Sequence, residues 1–187
     1  MRISAVRKAE TRARLLGSAK RLFAERGYDR TTTRDIAQAS GAATGTLFNY
    51  FESKEALGVV LLEEATEKAL GEYRAMSHAG SLEDALFAQA KTTLSHLADF
   101  RSWAAQVLRS PLRCGSLRAR MLADTSELVA RYGRGAPSSV MLHLYWTLYS
   151  GVVAFWSHDS DDFRDTHVLL ARSLRLFVRG LDDSLAD

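Results

Sequence analysis

Only two prolines, Pro111 and Pro137, interrupt 187 residues, and β-branched runs with strict apolar–polar alternation are missing. Proline breaks helices by removing an N–H and fixing φ, and half-buried strands need a period of two. What recurs instead is an apolar spacing of three and four. Leu15, Leu16, Ala19, Leu22 and Phe23 form one such stripe, and Leu57, Val60, Leu61, Ala65, Ala69, Tyr73 and Met76 form a longer one. The spacing predicts an all-α chain of about nine helices, arranged as a three-helix head and a helical body. We place the head at residues 1–54 and the body at 55–187.

Turn residues mark where the helices stop. A first helix over 10–26 ends at Gly27, a residue suited to a left-handed C-cap, and Tyr28 is expected to fold back on its last turn. The threonines 31–33 follow, with Thr33 read as the N-cap of a second helix from Arg34 to Ser40. Gly41-Ala42-Ala43 is a short link to a third helix from Thr44 to Phe51, so the three segments predict a helix-turn-helix. Ser53 caps a long fourth helix ending near His78-Ala79-Gly80, Ser81 caps a fifth, and Pro111 stops the sixth at Ser110. A seventh helix covers 116–132, and the last two cover 137–158 and 161–181.

The net charge of +3 is unevenly spread. Residues 1–54 carry eleven Lys and Arg against five acids, whereas the rest carries fourteen against seventeen. A basic head on an acidic body suits a protein that presents one end to a polyanion. Arg2, Arg7 and Lys8 are read as solvated charge ahead of the first helix, with a minor-groove arm as the alternative. Cys114 is the single cysteine, which excludes an internal disulfide and fits a cytoplasmic setting. No stretch has the ~20 uninterrupted apolar residues of a membrane span, so a membrane partner is not expected.

A helix-turn-helix reads DNA by placing its second helix in the major groove. With Leu47 and Phe51 turned inward, Thr44, Gly45, Thr46, Asn49 and Tyr50 face outward. Asparagine pairs with adenine through two hydrogen bonds, and threonine offers a hydroxyl to a base or a methyl to thymine. Thr44, Gly45, Thr46 and Asn49 are therefore the candidate base contacts, with Gly45 permitting close approach. Thr33, Tyr50 and Lys54 are the candidate phosphate contacts.

The stretch TTTRDIAQASGAATGTLFNYFESKEAL, residues 31–57, resembles the tetracycline-repressor (TetR) family. The resemblance rests on the Thr-x-Asp-Ile-Ala helix, the glycine turn, Gly-Thr-Leu, Asn-Tyr-Phe and Ser-Lys-Glu, and it covers about residues 10–60. It implies a homodimer, a body of about six helices and repression controlled by a ligand. Ala42-Ala43 departs from the family's more usual Val-Ser. Phe48 stands where tyrosine is common, losing a possible phosphate hydrogen bond, and is read as packing.

In the body, Leu144, Leu148, Val152 and Phe155 on the eighth helix and Leu170, Leu174 and Phe177 on the ninth are assigned to a dimer interface. Phe87, Phe100, Trp103, Met121, Trp146 and Tyr149 are assigned to a pocket for an apolar or amphipathic effector. The expected partners are thus an operator duplex, a second copy of the chain and a small molecule, with no cofactor. The alternatives are a ligand-independent regulator and a helical protein-interaction module. An enzyme is not expected: there is no Gly-rich phosphate loop, nucleophile elbow or zinc motif. His143, His158 and His167 with Asp159, Asp161, Asp162 and Asp165 lack a metal-ligand spacing, and the 158–162 run is read as a loop that caps the next helix.

Overall fold

In a computed structural model, residues 5–76, 80–108 and 114–183 are described, and they form nine α-helices with no strand among them. The expected stops at His78-Ala79 and at Ser110-Pro111, and the basic residue Arg2, lie outside the described residues. The chain divides into two units, Met1–Leu62 and Glu63–Asp187, and the division falls inside the fourth helix.

In the first unit, α1 runs from Ala5 to Arg26 and buries Leu15, Leu16, Ala19, Leu22 and Phe23. Its start is earlier than the apolar stripe indicates, because helix continues through polar residues that bury nothing; Arg7 and Lys8 therefore lie exposed on α1. Gly27 ends it at φ +86°, a left-handed conformation that only glycine adopts without strain. Tyr28 then packs its ring 4.8 Å from that of Phe23. Thr31 is buried and donates its hydroxyl to the Gly27 carbonyl at 2.8 Å.

Helix α2, Thr33–Ala39, is capped by Thr32 and not by Thr33. Thr32 Oγ1 accepts from the Asp35 N–H at 3.2 Å while the Asp35 carboxylate accepts from the Thr32 N–H at 2.9 Å. Each group satisfies one donor that a helix start leaves open, so the acid three residues on decides which of three threonines caps. Helix α3 spans Thr44–Phe48, and further turns carry the chain to Phe51, whose N–H donates to Leu47 at 3.0 Å. Ile36, Ala37, Leu47 and Phe51 are buried together with the α1 stripe as the core of the head. Ser53 Oγ accepts from the Ala56 N–H and caps α4, Lys54–Ala75.

The second unit contains the later part of α4 with α5 (Leu82–His96), α6 (Arg101–Leu108), α7 (Gly115–Arg131), α8 (Ser139–Trp156) and α9 (Arg164–Asp183). Ser81 and Asp84 form a second reciprocal cap at the start of α5. Helices α8 and α9 pack antiparallel, since Met141 meets Gly180 at one end and Trp156 meets Phe163 at the other. Tyr145 and Phe177 stand edge to face between them at 5.3 Å. Arg101 fastens their connecting loop: its Nε donates to the Trp156 carbonyl at 2.9 Å, another nitrogen donates to the Asp159 carbonyl, and its guanidinium lies over the Phe163 ring. Cys114 is buried with Sγ donating to the Val107 carbonyl, and burial pushes its thiol pKa up to about 11. Among the described residues no helix is long and apolar enough to cross a membrane.

Candidate DNA-binding surface

Successive residues of an α-helix are turned by about 100°, so the directions of α3 side chains follow from the two that are buried. Leu47 and Phe51 point into the head. Opposite them lie Gly45 and Asn49, both exposed, with Asn49 still in helical conformation at φ −73° and ψ −14°. Thr46 flanks this ridge on one side and Phe48 on the other, while Thr44 and Tyr50 lie nearer the core and are half-buried. Nothing stands within 4 Å of where a Cβ on Gly45 would be, so the ridge is low and open at its centre.

Thr33 is half-buried in the first turn of α2, where a cap role has passed to Thr32. Lys54, half-buried at the first turn of α4, donates from Nζ to the Tyr28 carbonyl at 2.8 Å and lies over the Tyr28 ring. That bond uses one of its three donors. Tyr50 is half-buried beside them in sequence, and Arg34 is exposed on α2. Asp35 is held below the usual carboxylate range by its hydrogen bonds to Thr32.

Phe48 is the residue that sequence reasoning misplaced. It is 50% exposed and so is not core packing. The signal was available in the helical rotation, because Leu47 and Phe51 already fill the inward direction and Phe48 stands well off that line.

In the body the structure separates residues that the sequence grouped. Phe100, Trp103, Met121 and Tyr149 are buried, whereas Phe87 and Trp146 are half-buried. The aromatic ones among them form ring pairs: Phe100 with Trp103, Trp146 with Tyr149, and Phe87 with His167. Tyr149 lines a void of about 10 Å³, close to the size of one water, with Tyr145 and Ser173; its hydroxyl is buried without a hydrogen-bond partner among the described residues, and burial raises its pKa. A larger cleft of about 150 Å³ opens between α5 and the α8–α9 corner, walled by Leu94, Ala98, Trp156 and Phe163 with Lys91 and His167 beside them.

Four of the seven residues assigned to a dimer interface, Val152, Leu170, Leu174 and Phe177, are buried inside the chain's own body. The packing of α8 against α9 consumes that stripe. Leu144 and Phe155 remain on the exposed face at 39% and 44%, Leu148 is half-buried, and Val140, Val168 and Leu176 are exposed with them. The acidic loop between the two helices is occupied in capping: Asp159 accepts from the Thr166 N–H and hydroxyl, and Asp162 accepts from the Arg164 N–H. Among the described residues no group of His, Cys, Asp or Glu could hold a metal ion.

Residues 15–59 match the family described as bacterial regulatory proteins, tetR family. The HTH-type transcriptional repressor KstR2 of Rhodococcus jostii is 38% identical over 91 residues, which is 49% of this chain and 44% of that protein. The HTH-type transcriptional regulator UidR of Escherichia coli is 34% identical over 64 residues, 34% of this chain and 33% of that one. These matches span less than half the length of either relative. By structure, a TetR transcriptional regulator from Rhodococcus sp. RHA1 superposes with a TM-score of 0.74 at 20% identity, covering 91% of this chain and 97% of that one. FadR of Thermus thermophilus, solved in complex with lauroyl-CoA, gives 0.67 at 24% identity over 90% and 94% of the two chains. By sequence the head, residues 15–59, is similar to the tetR family, and by fold the chain is similar to solved tetR-family regulators.

Proposed function

We propose that the chain is a sequence-specific DNA-binding transcriptional repressor that acts as a homodimer and leaves its operator when a small amphipathic molecule binds the body. The observation that carries the DNA reading is the outward ridge of α3. It exposes Gly45 and Asn49, flanked by Thr46 and Phe48, with no charged side chain on a helix whose other face is buried. Such a ridge can enter a major groove and discriminate bases by hydrogen bonds and shape, and Lys54, Tyr50 and Thr33 are the residues we assign to phosphates. Thr44, being half-buried toward the core, serves at the edge of the reading surface.

A two-fold dimer would present two such ridges to a pseudopalindromic site. The exposed α8–α9 face with Leu144, Leu148, Phe155, Val168 and Leu176 supports this reading, because adjacent apolar faces of two helices suit an isologous four-helix contact. For the effector, the α5 cleft beside Trp156 and Phe163 is the entry point we favour. Its apolar wall with Lys91 and His167 alongside suits a ligand with an apolar part and an anionic end. The acyl-CoA complex of the FadR neighbour supports that ligand class. The setting for such a regulator is the cytoplasm, where its operator is.

Selection of bound sequences from random duplexes tests the first claim, and a recovered palindrome is the expected result. Binding that is equal on selected and random duplexes would defeat it. Titrating the complex with lauroyl-CoA tests the effector, with loss of operator affinity expected and an unchanged affinity counting against this ligand class.

A further inference from the structure

Among the described residues of the head, two large apolar side chains are exposed, Val6 near the start of α1 and Phe48 on α3. A half-exposed phenyl ring on a reading helix offers apolar surface whose covering by an apolar group is favourable. The ring flanks the Gly45–Asn49 ridge on the side of Thr44, one turn after Gly45. Because Gly45 has no side chain and open space around it, nothing on α3 screens the ring from whatever the ridge enters.

The chemistry of the ring restricts its partner. Phenyl carries no donor or acceptor, so it cannot hold a phosphate oxygen. On the floor of a major groove, guanine, adenine and cytosine present polar edges that a phenyl ring would leave unpaired, whereas thymine presents a C5-methyl. We infer that Phe48 is a specificity residue that packs on a thymine methyl beside the base met by Asn49. The inference rests on the proposed DNA-binding function and adds the identity of one base in each half-site.

The test uses the full chain and a duplex recovered by selection. Each symmetric pair of thymidines is replaced in turn by 2′-deoxyuridine, which removes the methyl and keeps base pairing. A buried methyl corresponds to about a fourfold loss of affinity per half-site, hence roughly fifteenfold for a pair. One pair of positions should show this loss in the unaltered protein. Phe48→Ala should bind the thymidine and deoxyuridine duplexes equally, and Phe48→Tyr, which keeps the ring, should keep the preference. Phe48→Leu is a second variant, and circular dichroism should show all three folded because the side chain is outside the core. The inference is overturned if no replacement weakens the unaltered protein beyond about twofold, which would place the ring against sugar, or if Phe48→Ala retains the full loss. Specific binding without a methyl effect defeats this inference alone, whereas no preference over random duplex defeats the DNA-reading proposal as well.

Discussion

The ammonium of Lys54 lies 4.4 Å from the centre of the Tyr28 ring and donates to the carbonyl of the same residue, tying the first residue of α4 to the turn that follows α1. The side chain is thereby fixed in place, with two further donors to offer. Lys54→Ala is expected to lower the stability of the head by about 1–2 kcal/mol, from the lost cation–π contact and charged hydrogen bond. It should also weaken specific and random duplexes by the same factor and make the salt dependence shallower. Urea unfolding and fluorescence anisotropy at several salt concentrations measure both. A stability loss with unaltered DNA affinity would remove Lys54 from the phosphate contacts.

Gly45 separates folding from reading. Its φ is not positive and a Cβ there meets nothing, so Gly45→Ala should leave the melting temperature unchanged or slightly raised, alanine being the better helix former. On the proposed surface the same methyl would stand between α3 and the base edges, and operator affinity should fall about tenfold or more. Unchanged affinity would mean that the ridge does not approach DNA at Gly45.

The division of the α8 and α9 stripes into buried and exposed residues makes opposite expectations for neighbouring positions. Leu144→Glu combined with Phe155→Glu should give a folded monomer, because both side chains lie on the exposed face. Phe177→Ala, at 0% exposure, should cost about 3–5 kcal/mol through lost burial and a cavity. Light scattering and thermal unfolding separate the outcomes, and a double glutamate variant that stays dimeric would move the interface elsewhere.

The Thr32–Asp35 cap carries a pH signature. Hydrogen bonds to Thr32 hold the Asp35 carboxyl below its usual value, so its folded pKa lies under its unfolded one. A group of this kind adds stability above the unfolded carboxylate value of about 3.9 and loses it as pH falls through the folded value. Asp35→Asn does not titrate. Its deficit in urea unfolding should be present at pH 6 and shrink as pH falls below about 4. A deficit that stays the same size as the pH falls would show that the charge is irrelevant to the cap.

These residues also show where sequence is informative. The buried set of α1 is the apolar stripe itself, because a 22-residue helix repeats its period often enough to define one inward face. Thr31, Thr32 and Thr33 offer three equivalent hydroxyls, and only the T-x-x-D spacing from Thr32 to Asp35 singles out the cap. Helix α8 has apolar residues around most of its circumference, so its pattern does not separate the face that meets α9 from the face left over. Packing alone decides that, and it moved Val152, Leu170, Leu174 and Phe177 from surface to core. Five residues of α3 give less than two turns, so Phe48 is legible only by rotation from Leu47 and Phe51 and not from a repeating stripe. The aromatic residues of the body could be named from sequence, but their pairing into separate contacts depends on how six helix segments meet.

The ridge of α3 carries no formal charge, while the basic side chains of the head, such as Arg34 and Lys54, stand on other helices. In the proposed function, attraction and discrimination therefore fall to different atoms. Raising the ionic strength would loosen the protein from correct and incorrect sites in nearly equal proportion, since displaced counterions are common to both. The ratio between them would then survive conditions under which the absolute affinity does not. A cell whose ion content fluctuates would change how much of this protein sits on its chromosome without changing which site it favours.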